Sequence, residues 1–185
     1  IYFEDKLYRG NRTVKINSED FEAFVSPNFQ ILAEAGVKIK YKHISRKVNS
    51  KFVAHTRISN DIAILCIFPG IKEKTIKNII KSATGIVIKS FGSGNAPFSN
   101  SILEIFKDAN KQNKILLNIS QCLYGSTIEG QYESSEIFTK SGVICGKDLT
   151  TEAAVAKLMF LLGCGFSKKK IKTELQKNLR GEMTI

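Results

Sequence analysis

Gly92-Ser93-Gly94-Asn95-Ala96-Pro97 stands where the periodicity of this sequence changes. Before it, Gly85 to Phe91 is short, apolar and β-branched, the pattern of a buried strand. After it, Ser99 holds a helix N-cap position, and Ile102, Leu103, Ile105 and Phe106 repeat at helical spacing. The chemistry open to such a loop is recognition. Its glycines let the backbone turn tightly and approach a ligand, and Asn95 carries both a donor and an acceptor. A plain strand-to-helix turn with Asn95 in water fits the local pattern equally well. In open α/β folds, ligands bind at the carboxyl edge of the sheet, which is where this loop falls.

Around the loop the pattern predicts strand, helix, strand, helix from Asp61 onward. Ile62 to Phe68 reads as an apolar strand stopped by Pro69-Gly70, and Thr75 to Lys81 as a short helix. Ile86 to Ile88, Ile115 to Ile119 and Val143 to Cys145 read as further strands. Helices are predicted from 99 to about 112, from Ser135 to Lys140, and from Thr151 to Leu162 behind a Thr150 or Asp148 cap. A last helix is predicted from Ser167 to about Leu179, with Gly181 in Arg180-Gly181-Glu182 as its cap. Apolar strands separated by helices imply an α/β fold: a small parallel sheet of about four strands with helices on both faces. Right-handed crossovers would place the loops after Ile88 and Ile119 on one edge.

Residues 1 to about 60 read differently, as an irregular hairpin and linker segment. Ile1 to Phe3 and Leu7-Tyr8 suggest a hairpin, and Leu32 to Gly36 a helical turn closed by Gly36. Val37 to Tyr41 alternates like an exposed strand, and Ser45 to Lys51 reads as a linker. Arg9, Arg12 and Lys15 are expected in a solvated turn rather than lining an anionic pocket. Because the sequence opens on Ile1 in what looks like mid-strand, a piece of a longer polypeptide is expected.

Composition narrows the partners. At 185 residues and 43% hydrophobic, the chain can bury one sizeable domain or somewhat more. The net charge of +11 invites a nucleic-acid reading, but 23 of the 28 basic residues are scattered lysines matched by 24 isoleucines. Joint enrichment in Ile and Lys reads as an AT-rich codon supply, and no aromatic residues interleave as stacking platforms. No nucleic acid and no membrane are therefore expected, since the apolar runs are too short to span a bilayer. Cys66, Cys122, Cys145 and Cys164 form no C-x-x-C pair, with Cys66 and Cys164 assigned to the core, which suits a reducing cytoplasm. His43 and His55 lie far from them, so no metal site is expected, and no cofactor.

A second loop, Asn118-Ile119-Ser120-Gln121-Cys122-Leu123-Tyr124-Gly125-Ser126-Thr127, completes the pattern. With Gly92 to Pro97, Leu7 to Arg12, Ser26-Pro27-Asn28, Lys147 to Ala153 and Gln176 to Glu182, the chain resembles the bacterial type I, cytoplasmic L-asparaginases over essentially its whole length. The resemblance implies hydrolysis of L-asparagine to L-aspartate and ammonia by a threonine nucleophile in an N-terminal domain. The family's Thr-Gly-Gly-Thr and Thr-Asp-Thr strings do not occur here. Residues 1–60 are then the tail of the catalytic domain and the linker, and 61–185 the C-terminal α/β domain. Alone the chain is expected to be inactive.

In that family Asn95 and Tyr132 match residues that support a neighbouring subunit's active site, which implies a homodimer or homotetramer. Tyr132 as an aromatic packed at a helix entry remains open beside this. An effector site between subunits uses an arginine and a cysteine, matched here by Lys89 and Cys122. Lysine keeps the charge but loses the flat two-pronged geometry. Two other readings remain: a non-catalytic dimerisation or amino-acid-binding remnant, and a nucleotide-binding domain built on Gly92-x-Gly94. The last is disfavoured, because Pro97 falls where a small residue should pack and no acidic residue follows at a strand end.

Overall fold

The structure is a computed structural model, and it describes residues 1–42, 53–96, 99–128 and 138–185. Strands β1 (Tyr2–Phe3) and β2 (Lys6–Leu7) form the expected hairpin, turned by Glu4 and Asp5 at φ 47° and 61°. A 3-10 turn, Gly10–Arg12, leads to β3 (Val14–Lys15), which pairs with β4 (Phe24–Val25). Then β5 (Ala33–Glu34) and β6 (Lys40–Tyr41) extend the hairpin into a sheet of order β1-β2-β5-β6. The helical turn expected at 32–36 is thus a strand. Five residues cannot sustain a helix alone, and pairing with Leu7 buries Ala33. The alternation of Val37, Ile39 and Tyr41 leaves these side chains in solvent, Tyr41 at 75% exposure. The predicted linker 45–51 is outside the described residues.

The second half builds around one parallel sheet. Its elements are β7 (Ile62–Cys66), α1 (Glu73–Ser82), β8 (Gly85–Ser90), α2 (Asn100–Lys111), β9 (Ile115–Ser120), β10 (Ile144–Cys145), α3 (Thr151–Gly163) and α4 (Lys168–Leu175). The strands lie in chain order, β7-β8-β9-β10, all parallel. Period-two alternation sends side chains to opposite faces. Ile86, Ile88 and Leu116 join Ile76 and Ile80 of α1 and Ile102 and Phe106 of α2 on one face. Val87, Leu117 and Ile119 join Ala154 and Leu158 of α3 and Ile171 and Leu175 of α4 on the other. Helices therefore cover both faces. Gly85 makes the α3 contact possible, since a Cβ there would stand 2.9 Å from Leu158 Cδ2.

Three expectations change. Helix α4 stops at Leu175, not Leu179, because side chains capture the amides that follow it. Glu182 accepts from Leu179 N at 3.0 Å and Asn178 from Gly181 N at 2.5 Å, competing with helical bonds. Gly181 is no cap. At φ 78° it lies against Arg9, whose Nη1 would be 1.8 Å from a Cβ there. Cys66 is exposed because β7 is an edge strand, and Cys164 is half-buried where α3 ends, so neither is core. At 135–140 only 138–140 are described, and they are helical.

Leu158 is fully buried between α3 and the sheet. Leu158→Ala is expected to destabilise the chain by about 2–5 kcal/mol, read from the midpoint of urea unfolding at unchanged slope.

Candidate functional site

The loops after β8 and β9 meet on the carboxyl edge of the sheet. Phe91 and Asn95 exchange backbone hydrogen bonds of 2.9 and 2.8 Å, closing a turn whose glycines sit at φ 48° (Gly92) and 118° (Gly94). Only glycine adopts the second without strain. The turn is fastened to the next loop twice: Ser120 Oγ donates to Gly92 O at 2.7 Å, and Ile128 N to Ser93 O at 3.0 Å. The half-buried Asn95 therefore shares a rim with Cys122.

Gln121 organises that rim. Its Nε2 donates to Ile67 O at 2.6 Å and to Lys89 O at 2.9 Å, clasping the ends of β7 and β8. Its backbone N bonds Ser90 O, and Cys122 N bonds Ser120 Oγ at 3.0 Å. Asn28, from the first half of the chain, holds the far side of the loop. Its amide donates to Leu123 O and Gly125 O and accepts from Gly125 N at 2.9 Å.

A cavity of about 210 Å³ opens beneath this loop, lined by Lys89, Cys122, Gln121, Lys147, Thr151 and Glu152 among others. Thr150 caps α3 here, its hydroxyl accepting from Ala153 N at 3.1 Å. The cavity thus combines two ammonium groups, a helix N-terminus and two carboxylates, of which Asp148 is paired with Arg12 and Glu152 is exposed. That set suits a ligand carrying a carboxylate and an ammonium together. Lys89 and Cys122 are brought into this one cavity, whereas Asn95 is on the rim but outside its lining. Tyr132 is outside the described residues. Among those described, no group of three metal-ligating side chains gathers, and no helix is long and apolar enough to cross a membrane.

Arg12 corrects the expected solvated turn. Only 2% exposed, it donates to Asp148 Oδ2 at 2.7 Å, Asn28 O at 2.6 Å and Glu182 O at 2.9 Å. Thr184 adds two bonds to Asp148, from its N at 2.8 Å and its hydroxyl at 2.6 Å. Burial alone would raise the Asp148 carboxyl, but Arg12 and Thr184 overcome it and hold the group below its ordinary value. A second buried pair, Lys157–Glu182 at 2.7 Å, lies beside it. Burial opposes ionisation of Glu182 too, yet Lys157 and the amides of Leu179 and Arg180 depress its carboxyl. Desolvation draws Lys157 below the ordinary lysine value despite that partner.

Gln121, Asn28, Glu152 and the Arg12–Asp148 pair carry no site role in the sequence reading. Gln121 and Asn28 lie inside motifs quoted there, but a clasp between strand ends or a bridge of 97 residues leaves no local signature. Glu152 at the start of a helix reads as ordinary dipole compensation.

Residues 61–175 match the glutaminase/asparaginase C-terminal domain model, and residues 1–47 match the asparaginase N-terminal model. The chain is 32% identical over its whole length to L-asparaginase 1 of Escherichia coli (strain K12), covering 55% of that protein. It is 36% identical to the 60 kDa lysophospholipase of Mus musculus, covering 34% of it. A crystal structure of L-asparaginase I from Vibrio cholerae superposes over the whole chain with a TM-score of 0.93 at 35% identity, with 57% of that chain covered. The chain spans about half the length of the bacterial relatives it matches.

The Asp148 shift sets a pH dependence. A carboxyl depressed in the folded state stabilises it above the unfolded aspartate value, and that stability fades as pH falls through the folded value. The native chain is expected to lose stability below about pH 5 more steeply than Asp148→Asn. At pH 7, Asp148→Asn leaves Arg12 buried and unpaired and is expected to cost about 3–5 kcal/mol, while Arg12→Met with Asp148→Leu restores much of that loss. Chemical denaturation from pH 3 to 7 measures both.

Proposed function

This chain belongs to the glutaminase/asparaginase family, and from that premise we propose that it is the C-terminal portion of an L-asparaginase, supplying rim residues to a neighbouring subunit's active site. The reading divides the chain near residue 60 into the tail of a catalytic domain and a C-terminal α/β domain. It places Asn95, with Tyr132, across a contact in a homodimer or homotetramer, and the nucleophile in sequence outside this chain. The exposed apolar side chains Tyr2, Phe21, Ile39 and Tyr41 support the division, because they offer a surface for the rest of such a catalytic domain.

One observation carries the proposal: Lys89 and Cys122, positions 33 residues apart, line a single cavity at the start of α3. L-Asparagine or L-aspartate fits its charges. The α-carboxylate meets Lys89 and the helix N-terminus, and the ammonium meets Glu152. Lysine at 89 is a point charge that grips a carboxylate less specifically than arginine would, so the site selects by charge more than by shape. No cofactor is needed for amide hydrolysis by a hydroxyl nucleophile.

Thermal unfolding with L-asparagine, L-aspartate and nucleotides tests this. L-Asparagine and L-aspartate are expected to raise Tm with concentration, as any ligand of the folded state must, and Lys89→Met to abolish most of the shift. The chain alone is expected to release no ammonia from L-asparagine. Stabilisation by a nucleotide alone, or an asparagine shift indifferent to Lys89→Met, overturns the site. Ammonia release by the isolated chain overturns the placement of the nucleophile.

A further inference from the structure

A separate cavity of about 200 Å³ lies where the Gly10–Arg12 turn, α3 and the C-terminal tail meet. Its walls are Ala153, Ala156, Phe160 and Leu179, so the slot is largely apolar. Its floor is the Lys157–Glu182 pair, whose charges are spent internally. Lys157 Nζ also donates to Leu175 O at 2.9 Å and Lys177 O at 2.5 Å, and Glu182 accepts the tail amides. Two polar groups at its edge are not spent. Asn11 donates its amide to Arg180 O at 3.0 Å, but its Oδ1 is buried and has no partner among the described residues. Arg180 is exposed, and among the described residues its guanidinium meets no carboxylate, only Leu179 O at 2.9 Å.

We propose that this slot is a ligand site for a small carboxylic acid with a branched apolar body and one N–H donor, the class of N-acyl apolar amino acids. The apolar body fills the slot, the carboxylate pairs with Arg180 at the mouth, and the N–H gives Asn11 Oδ1 the partner it lacks. A mostly apolar pocket with a few convergent polar groups is the usual form of a small-molecule site. The orphaned acceptor favours a guest with a donor over a plain hydrocarbon, because a buried unpaired oxygen is costly until it is bonded. The unpaired guanidinium favours an anion over an amide or an amine. At 200 Å³ the slot is below the size of drug-like pockets and admits only a small molecule. The site does not depend on the cavity at Lys89, with which it shares no lining residue.

Amide NMR titration of the chain with N-acetyl-L-leucine tests the proposal. Saturable shifts are expected around Asn11, Ala156 and Phe160, with a dissociation constant on the order of 1 mM. N-Acetyl-L-leucinamide, N-acetylglycine and 4-methylpentanoate remove the charge, the apolar body and the donor in turn, and each is expected to bind several-fold more weakly. Arg180→Gln, at an exposed side chain, is expected to weaken binding about tenfold. Ala156→Trp, also at an exposed position, fills the slot and should abolish it while leaving the unfolding midpoint near that of the native chain. No saturable shift at 20-fold the expected constant, equal binding of acid and amide, or binding that survives Ala156→Trp overturns the site.

Discussion

The buried Arg12–Asp148 ion pair is the contact on which the arrangement of this molecule depends. It joins residues 136 positions apart, with Arg12 at 2% exposure and Asp148 at 8%. A guanidinium in such a place must have its donors filled, and the structure fills them from three segments: Asp148 before α3, Asn28 in the first half, and Glu182 in the tail. The pair brings little net stability compared with apolar residues of the same size. Its effect is positional. With both charges satisfied only in one arrangement, the irregular first segment, the α/β unit and the tail have one common packing.

From that contact the order passes to the rim. Arg12 fixes the carbonyl of Asn28, and the Asn28 side chain fixes Leu123 to Gly125 through three hydrogen bonds. The same loop is held on its other side by Gln121 across β7 and β8. Cys122 lies between these two anchors. The sheet itself does not create a crevice: among the described residues its strands run in simple chain order, with no point where the strand order reverses and splits the loops apart. The cavity at Lys89 is instead made by a loop propped above the first turn of α3.

The α/β half was legible in the sequence because its signals are local. Apolar runs at 62–68, 86–88 and 115–119 became strands, the first ending at Cys66, and Thr150 became the cap of α3. Of the first half only the opening hairpin and the exposed stretch ending in β6 were, since its strands are two residues long and exist through pairing rather than through any local pattern. The tail misled for the opposite reason. Gln176 to Arg180 has acceptable helix formers, but Asn178 and Glu182 offer its amides closer partners than the next turn would. Of the candidate site, the meeting of the two loops followed from the parallel order of the strands, and the pairing of Lys89 with Cys122 from the family resemblance. The clasp by Gln121 and the burial of Arg12 depend on tertiary contacts that no spacing encodes.

Charge shows the same division between local and tertiary causes. The chain carries a net +11, yet the cations that matter to the structure are few and individually placed. Arg12 and Lys157 are buried against carboxylates, and Lys172 closes on Asn110 and the carbonyl of Gly142 at 2.9 and 3.2 Å. Each of these acts on a few fixed partners at short range, where salt screens little. Most of the remaining lysines are on the surface and set solubility and long-range attraction rather than fold. An anionic ligand arriving at the rim would therefore be drawn by the whole field but held by Lys89, Lys147 and the first amides of α3. On the proposed function, the Glu152 carboxylate beside them disfavours simple anions and favours a ligand that brings its own positive charge, as a free amino acid does.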